Sequence, residues 1–183
     1  MAQETLAAPP VPEFTDIEAD FVTPGEVLDV LAQVTAAALC GTAAGVSLLD
    51  GQGQLRYVMA LGLAATDLEC VQERDRVGPG IDAVRTGALV AAKDLTGSDG
   101  RWSRYGQRLL AHGLVSVTAL PMELDGTVLG TLSVYDSAPR DWSADDHATA
   151  RALVRTALVQ LCPGHAGGPP YDVWSGIEAA YSV

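Results

Sequence analysis

The chain has 183 residues and 48% of them are apolar, which is enough to build the core of one domain with tails. Its net charge of -12 opposes binding to a phosphate backbone, because such binding requires basic residues that displace counterions. No apolar run approaches the roughly 20 residues of a membrane helix, and the N-terminus lacks the features of a secretory signal. We therefore expect a cytoplasmic protein that binds neither nucleic acid nor membrane.

The first predicted helix follows an acidic, proline-rich arm. Residues 1–22 lack hydrophobic periodicity, and their composition predicts disorder. Thr23 is a good N-cap residue, Pro24 suits the first helical position, and Glu26 completes the pattern of a capping box. Apolar residues then recur at helical spacing until Gly41, which predicts the end of the helix.

Two hairpins and three short helices are predicted next. The stretch "AAGVSLLDGQGQLRYVMALG" contains two strands around a glycine-rich turn. A helix, the corner Gly78-Pro79-Gly80, a short helix, a short strand and another helix follow. Asp125-Gly126 then joins two β-rich runs, and Pro121 predicts a bulge or a sheet edge in the first of them.

A last amphipathic helix begins after Ser143, and Pro163-Gly164 stops it. Short strands in hairpins favour a mainly antiparallel sheet, which helices must cover. The sequence therefore predicts an α+β domain over residues 24–162, with helices on both faces of the sheet. Residues 163–183 are expected to form a loose tail.

Neither the cysteines nor the histidines indicate a metal or redox site. Cys40, Cys70 and Cys162 are far apart in sequence and contain no CxxC pair, which favours small buried apolar residues. The three histidines are also widely separated. We expect no cofactor and no metal.

The order of these pieces resembles a GAF domain. The phrases that carry the resemblance are "GVSLLDGQGQLRYVMALG", "VGPGIDAVRTGALVAAKDL" and "RWSRYGQRLLAHGLVSVTALPMELDGTVLGTLSVYD", followed by the closing amphipathic helix. The variety most similar to this chain is the bacterial one found ahead of ANTAR output domains, which bind RNA and antiterminate transcription. The resemblance implies that the first and last helices cover one face of the sheet and often form a dimer bundle. It also implies that the other face holds a small-molecule cavity walled by the Gly78-Pro79-Gly80 corner.

Two departures from the family pattern limit what can be carried over. Many relatives have a cysteine directly after the Gly-Pro pair or one residue later, whereas this chain has Gly80 and Ile81 there. This argues against a covalently bound tetrapyrrole. Nothing after residue 162 resembles an ANTAR domain, so we expect either a stand-alone sensory domain or one whose output domain was lost or cut off.

The resemblance also implies candidates for the lining of the cavity. Asp94 and Trp102 bracket a loop that shapes one side of the pocket in the family, although the sequence favours a structural role, in which Asp94 caps a turn and Trp102 anchors the loop to the core. The charge cluster over residues 73–76 is typical of a solvated helix face, with a gate for an anionic ligand as the alternative. The full set of candidates is Met59, Leu61, Cys70, Val77, Ile81, Val84, Asp94, Trp102, Tyr105, Val117 and Ala119.

The favoured function is a non-catalytic sensory or regulatory domain of bacterial signalling, connected with transcriptional control. Its expected partners are an unidentified small molecule, a second copy bound through the first and last helices, and a signalling protein. One alternative is an enzyme such as a free methionine sulfoxide reductase, which needs an attacking and a resolving thiol close together. Cys70 is the sole cysteine expected near the pocket. The other alternative is a degenerate domain whose pocket is filled and which acts as a dimerisation scaffold.

Overall fold

The computed structural model describes residues 23–97 and 100–162, so the predictions for the arm and the tail lie outside the described residues. The order of elements predicted from the sequence is confirmed. The elements are α1 (Pro24–Ala38), β1 (Ala43–Leu49), β2 (Leu55–Leu61), α2 (Leu63–Asp75), α3 (Pro79–Thr86), β3 (Val90–Ala92), α4 (Ser103–Ala111), β4 (Ser116–Leu124), β5 (Thr127–Asp136) and α5 (Ala144–Leu161).

The five strands form one antiparallel sheet in the order β2-β1-β5-β4-β3. The hairpins β1-β2 and β4-β5 are joined at the centre of the sheet by pairing of β1 with β5. Pro121 lies beyond the reach of β3, whose pairing with β4 ends at Ala119, and a bulge follows between Met122 and Glu123. The missing N–H of proline therefore leaves no bond unmade along that edge. The α+β class is confirmed.

Side-chain caps fix the start of the two longest helices. Thr23 and Glu26 form a reciprocal capping box at the start of α1, and Ser143 and Asp146 form one at the start of α5. Each box satisfies backbone N–H groups that have no partner within the helix. These caps agree with the starts predicted from the sequence.

The sheet separates two hydrophobic layers. Helices α1 and α5 cover one face, and α2, α3 and α4 cover the other. Alternate residues of a strand point to opposite faces, and β5 shows this clearly. Leu132 and Val134 belong to the layer of α1 and α5, whereas Tyr135 belongs to the layer of α2 to α4. Among the described residues, no helix combines the length and the apolar character needed to cross a bilayer.

Candidate functional site

A fully buried carboxylate lies between the sheet and the helices α2 to α4. Glu69 of α2 accepts a hydrogen bond at Oε1 from the Tyr135 hydroxyl, over 2.6 Å. Its Oε2 accepts one from the Ser47 hydroxyl over 2.8 Å and one from the Gln72 side-chain amide over 3.3 Å. All three donors are neutral, and within residues 23–97 and 100–162 no basic side chain forms an ion pair with Glu69. The interior of this layer therefore holds an acid without a counter-charge.

Gln72 connects this acid to the Gly78-Pro79-Gly80 corner. While its Nε2 donates to Glu69, its Oε1 accepts the backbone N–H of Gly80 over 2.7 Å. The corner approaches the amide so closely that a Cβ on Gly78 would lie 2.4 Å from Gln72 Oε1. Gly78 also has φ +151° and ψ 173°, a backbone region that is essentially restricted to glycine. Gly78 is thus required by its backbone conformation and by the position of one buried amide, whereas a Cβ at Gly80 would make a tight contact of 3.0 Å with the same oxygen.

Gly45 of β1 makes room for the Glu69 side chain. A Cβ at Gly45 would lie 2.6 Å from Glu69 Cγ and 2.7 Å from its Oε1. The carboxylate therefore rests directly on the backbone of the central strand, which explains how a helix side chain reaches the sheet.

Among the residues that the structure describes, three further hydroxyls in this layer are buried without a hydrogen-bond partner. They belong to Tyr105 of α4 and to Thr131 and Ser133 of β5. The Tyr105 hydroxyl lies near that of Tyr135, and Ser133 faces Glu69, but neither completes a hydrogen bond of good geometry. Buried polar groups are satisfied in most proteins, so three such groups around one acid call for an explanation. We call Glu69, Gln72 and these hydroxyl residues, with Ser47 and Tyr135, the Glu69 cluster.

Burial controls the protonation of the cluster. Desolvation raises the pKa of Glu69 above its ordinary value of 4.5, and the hydrogen bonds from Tyr135 and Ser47 act in the opposite direction. Burial, followed by the nearby Glu69 carboxylate, raises the pKa of Tyr105 and Tyr135 well above 10.0. Both phenols therefore remain protonated and able to donate at neutral pH.

This raised pKa predicts how stability depends on pH. The folded protein holds the Glu69 proton more tightly than the unfolded chain, so its stability falls as pH rises above about 4.5 toward the folded pKa. Glu69→Gln removes this dependence. We expect the stability of Glu69→Gln relative to the wild type to increase between pH 4 and pH 8, by about 1.4 kcal/mol for each unit by which the pKa is raised.

Urea unfolding of both proteins at several pH values measures this difference. The matched control is Glu73→Gln on the same helix, whose partly exposed carboxylate pairs with Arg56. If the difference in free energy of unfolding between Glu69→Gln and the wild type stays constant with pH, burial does not raise the pKa of Glu69.

Asp82 of α3 is a second buried acid, and its hydrogen bonds connect α3 to the loop before α4. Asp82 accepts hydrogen bonds from Trp102 Nε1 and Arg101 Nη2, both at 2.9 Å, through Oδ2. Its Oδ1 accepts from Arg85 Nη2 over 2.7 Å. The Trp102 ring in turn meets Tyr105 edge-on, with 6.4 Å between ring centroids. This arrangement places the hydroxyl of Tyr105 at the Glu69 cluster.

Several residues predicted for the cavity lie in the layer that contains the cluster. Trp102, Tyr105, Val117 and Ala119 are buried there together. Ile81 and Val84 of α3 are partly buried. Asp94 is exposed and closes a local turn by accepting from Thr96; with Trp102 it also lines an open surface depression of about 350 Å³.

Other predicted residues are placed elsewhere. Met59 packs against the layer of α1 and α5, on the opposite face of the sheet. Leu61, Cys70 and Val77 are exposed. The charge cluster over residues 73–76 forms ion pairs and hydrogen bonds near the surface, as a solvated helix face would.

The prediction that the cysteines are buried is wrong for two of the three. Cys40 and Cys70 are exposed, Cys162 is buried, and all three are free. Cys40 follows the last turn of α1 with φ +50°, which carries its side chain away from the core. Although the residue is exposed, partial desolvation of its thiol and neighbouring carboxylates raise the pKa of Cys70, so its thiolate is disfavoured. In the described part of the chain, no group of three or more His, Cys, Asp or Glu could hold a metal ion.

The residues at the centre of the site, Glu69 and Gln72, were not predicted from the sequence. They stand in a charged helix where polar side chains normally face water. The strands did contain a signal: Gly45 and Ser47 alternate with apolar residues in β1, and Thr131 and Ser133 alternate with apolar residues in β5. Small and hydroxylated residues on one face of two central strands indicate a polar space under a covering helix.

This architecture is similar to that of several solved structures. Three similar solved structures are the GAF domain of an Acinetobacter phosphoenolpyruvate-protein phosphotransferase, a GAF domain/HD domain protein from Geobacter sulfurreducens, and the blue-light absorbing form of the Thermosynechococcus elongatus PixJ GAF domain. Their TM-scores are 0.60, 0.59 and 0.56, at identities of 18%, 20% and 19%. The matches cover 81%, 76% and 75% of this chain and 88%, 92% and 84% of the respective structures.

No curated protein is significantly similar to the chain in sequence. The family model of the GAF domain matches residues 23–161, which is well over half of the chain. That match spans α1 to α5, including both layers and the Glu69 cluster. The chain therefore belongs to the GAF domain family.

Proposed function

We propose that this GAF domain is a non-catalytic sensory module of bacterial signalling that binds a small molecule at the Glu69 cluster and acts in transcriptional control. The observation that carries the proposal is the set of three buried, unpartnered hydroxyls around a buried acid. An apolar core of the same size would avoid the desolvation cost of these groups, about 1–3 kcal/mol for each unsatisfied one. Their presence is explained by a ligand that hydrogen-bonds to them.

The cysteines support a role without catalysis. Reduction of methionine sulfoxide needs an attacking thiolate and a resolving thiol close together. The three cysteines are free, two of them at the surface, and the thiol of Cys70 is not activated. One of the similar solved structures is a blue-light absorbing form of a GAF domain, which fits a sensory role.

A screen for stabilising ligands tests the sensing role. A ligand that binds only the folded state raises the free energy of unfolding by about 2.7 kcal/mol at a hundred times its dissociation constant. We expect at least one compound from a panel of nucleotides, amino acids, amines and organic acids to raise the Tm of the wild type. The absence of any stabilising compound would favour the second candidate, a scaffold whose pocket is filled.

That second candidate also has a specific observation behind it. Glu69, Gln72 and Tyr135 are fully buried, and the close approach of Glu69 to Gly45 shows that their side chains pack tightly against the sheet. If the domain is a scaffold, these hydroxyls stay buried without hydrogen-bond partners and no ligand binds.

We also propose that the output passes through a homodimer formed by α1 and α5. The outer face of these helices carries the exposed apolar residues Val30, Val34 and Val159, the first two 55% and 42% exposed. Exposed apolar side chains on adjacent helices are typical of a surface that is covered by a partner.

Substitutions on α1 test the dimer. The double variant Val30→Asp, Val34→Asp should raise the dissociation constant of the dimer at least tenfold, because it buries two charges in an apolar interface. Sedimentation equilibrium measures this. Leu63→Asp is the matched control, since Leu63 is 87% exposed on α2, on the other face of the sheet, and should leave the dimer unchanged. A wild type that stays monomeric at 100-micromolar concentration, or dissociation caused by Leu63→Asp alone, would contradict the proposal.

A further inference from the structure

In residues 23–97 and 100–162, the Glu69 carboxylate has hydrogen-bond donors around it but no positively charged partner. Among the described residues it receives bonds from two hydroxyls and one amide, all neutral. A buried ionised carboxylate costs several kcal/mol unless an opposite charge compensates it. The described residues of this layer supply no such group, so Glu69 is either neutralised by a proton, which its raised pKa favours, or compensated by a cation that enters from outside.

The unpartnered hydroxyls add further hydrogen-bond acceptors to the site. Each hydroxyl oxygen of Tyr105, Thr131 and Ser133 can accept an N–H from a ligand. Together with Glu69 they form a buried set of acceptors on α4, β5 and α2. An anion would be repelled by the carboxylate, and an apolar molecule would leave the hydroxyls unsatisfied.

The lengths of the existing bonds to Glu69 indicate which of them a ligand would replace most readily. The Gln72 amide makes the longest of the three bonds to Glu69, at 3.3 Å, and shares Oε2 with Ser47. A stronger N–H donor at Oε2 would displace this amide. Because Oε1 of the same amide accepts the Gly80 N–H, displacement would release the corner at the start of α3.

From these contacts we propose that the site selects a small cationic nitrogen compound, such as an ammonium, amidinium or guanidinium, which Glu69 binds in place of the Gln72 amide. This inference rests on the proposed sensing function and names the class of its ligand. A positively charged group with several N–H donors compensates the carboxylate and reaches the hydroxyl oxygens at the same time. The net charge of -12 also concentrates cations, not anions, near the protein.

The test uses small probes of matched shape. Methylguanidinium and methylammonium chloride are compared with the neutral compounds urea and acetamide and with the anions acetate and phosphate, at constant ionic strength. Tm and NMR shifts are recorded for the wild type, Glu69→Gln and Glu73→Gln. We expect the cationic probes to raise the Tm of the wild type by a few degrees at about ten times their dissociation constant. The neutral and anionic probes should leave it unchanged.

The variants locate the effect. Glu69→Gln should weaken binding of methylguanidinium at least tenfold, which corresponds to the loss of one charge-assisted hydrogen bond. Glu73→Gln removes a nearby surface carboxylate and should keep wild-type affinity. Tyr105→Phe provides a second route that does not alter the acid: it removes one acceptor from a side chain whose hydroxyl is unpartnered, so it should fold normally and bind methylguanidinium about threefold more weakly.

The outcomes separate the two proposals. If neutral or anionic compounds stabilise the wild type and cations do not, or if Glu69→Gln binds cations as well as the wild type does, the cationic class is wrong and the sensing function stands. If no compound from any class binds, the sensing function itself is overturned, and this inference with it.

Discussion

Replacing Gly78 with alanine should reduce the free energy of unfolding by about 2–4 kcal/mol. Two costs add up at this position. Gly78 has φ +151°, where an alanine is strained by about 1–3 kcal/mol. The new Cβ would also lie 2.4 Å from Gln72 Oε1 and 2.6 Å from its Cγ, so the buried amide would have to move. Its movement breaks the hydrogen bond from the Gly80 N–H and weakens the one to Glu69.

Two other glycines separate these costs. Gly62 precedes α2 with φ +87° and ψ 158°, a similar backbone conformation, but nothing lies within 4 Å of a Cβ built there. Gly62→Ala should therefore show the backbone cost alone. Gly51 has neither positive φ nor a close neighbour, and Gly51→Ala should change stability by less than about 1 kcal/mol. Denaturant unfolding at pH 7 gives all three values. Equal losses for Gly62→Ala and Gly78→Ala would mean that the Gln72 amide is not held by the corner.

The outcome for Gly78 bears on signalling as well as stability. If the corner and the Gln72 amide move together, the variant should resemble the released state that we infer for the ligand-bound protein. Hydrogen exchange of the Gly80 amide would then be faster in Gly78→Ala than in Gly62→Ala, because this N–H loses its acceptor in the first variant alone.

Much of the fold could be predicted because local sequence signals agree with the final structure. The Thr23 and Ser143 caps, the Asp125-Gly126 turn and the Gly78-Pro79-Gly80 corner each depend on residues that are adjacent in sequence. Such signals need no knowledge of the tertiary neighbours. The two-layer arrangement then follows from the alternation of the strands.

The site could be predicted far less well because its contacts connect distant parts of the chain. Glu69 is polar and stands in a helix with several charged residues, so its burial becomes evident only when the Gly45 backbone is known to lie beneath it. Met59 was predicted to line the cavity, but it lies on the opposite face of the sheet. Alternation gives two faces for β2 but does not say which one faces the cluster, and a register shift in β1 between Val46 and Ser47 adds to the ambiguity.

The second large effect is expected at Asp82, which was not singled out from the sequence. Asp82 is only 7% exposed and accepts hydrogen bonds from Trp102, Arg101 and Arg85. Asp82→Ala should reduce the free energy of unfolding by about 2–4 kcal/mol, because the buried Trp102 N–H loses its acceptor and the hydrogen bonds from Arg101 and Arg85 to this carboxylate are lost. Thermal and urea unfolding measure the loss.

Two variants with smaller changes test the cause. Asp82→Asn keeps an oxygen for the Trp102 N–H, so its loss should be near 1 kcal/mol. Asp94→Ala removes an exposed aspartate whose hydrogen bonds go to Thr96, and it should cost less than about 1 kcal/mol. A similar loss for Asp82→Ala and Asp94→Ala would show that the buried bond to Trp102 contributes little.

A double-mutant cycle with Trp102→Phe isolates the bond itself. Phenylalanine removes the N–H donor, so Asp82→Ala should cost about 1–2 kcal/mol less in that background than in the wild type. The same bond also fixes the ring against Tyr105, whose hydroxyl belongs to the Glu69 cluster. Asp82→Ala should therefore weaken binding of methylguanidinium as well, although Asp82 itself makes no hydrogen bond to the Glu69 cluster. Unchanged binding in a variant that is clearly destabilised would mean that Tyr105 is positioned by its own packing and not through Trp102.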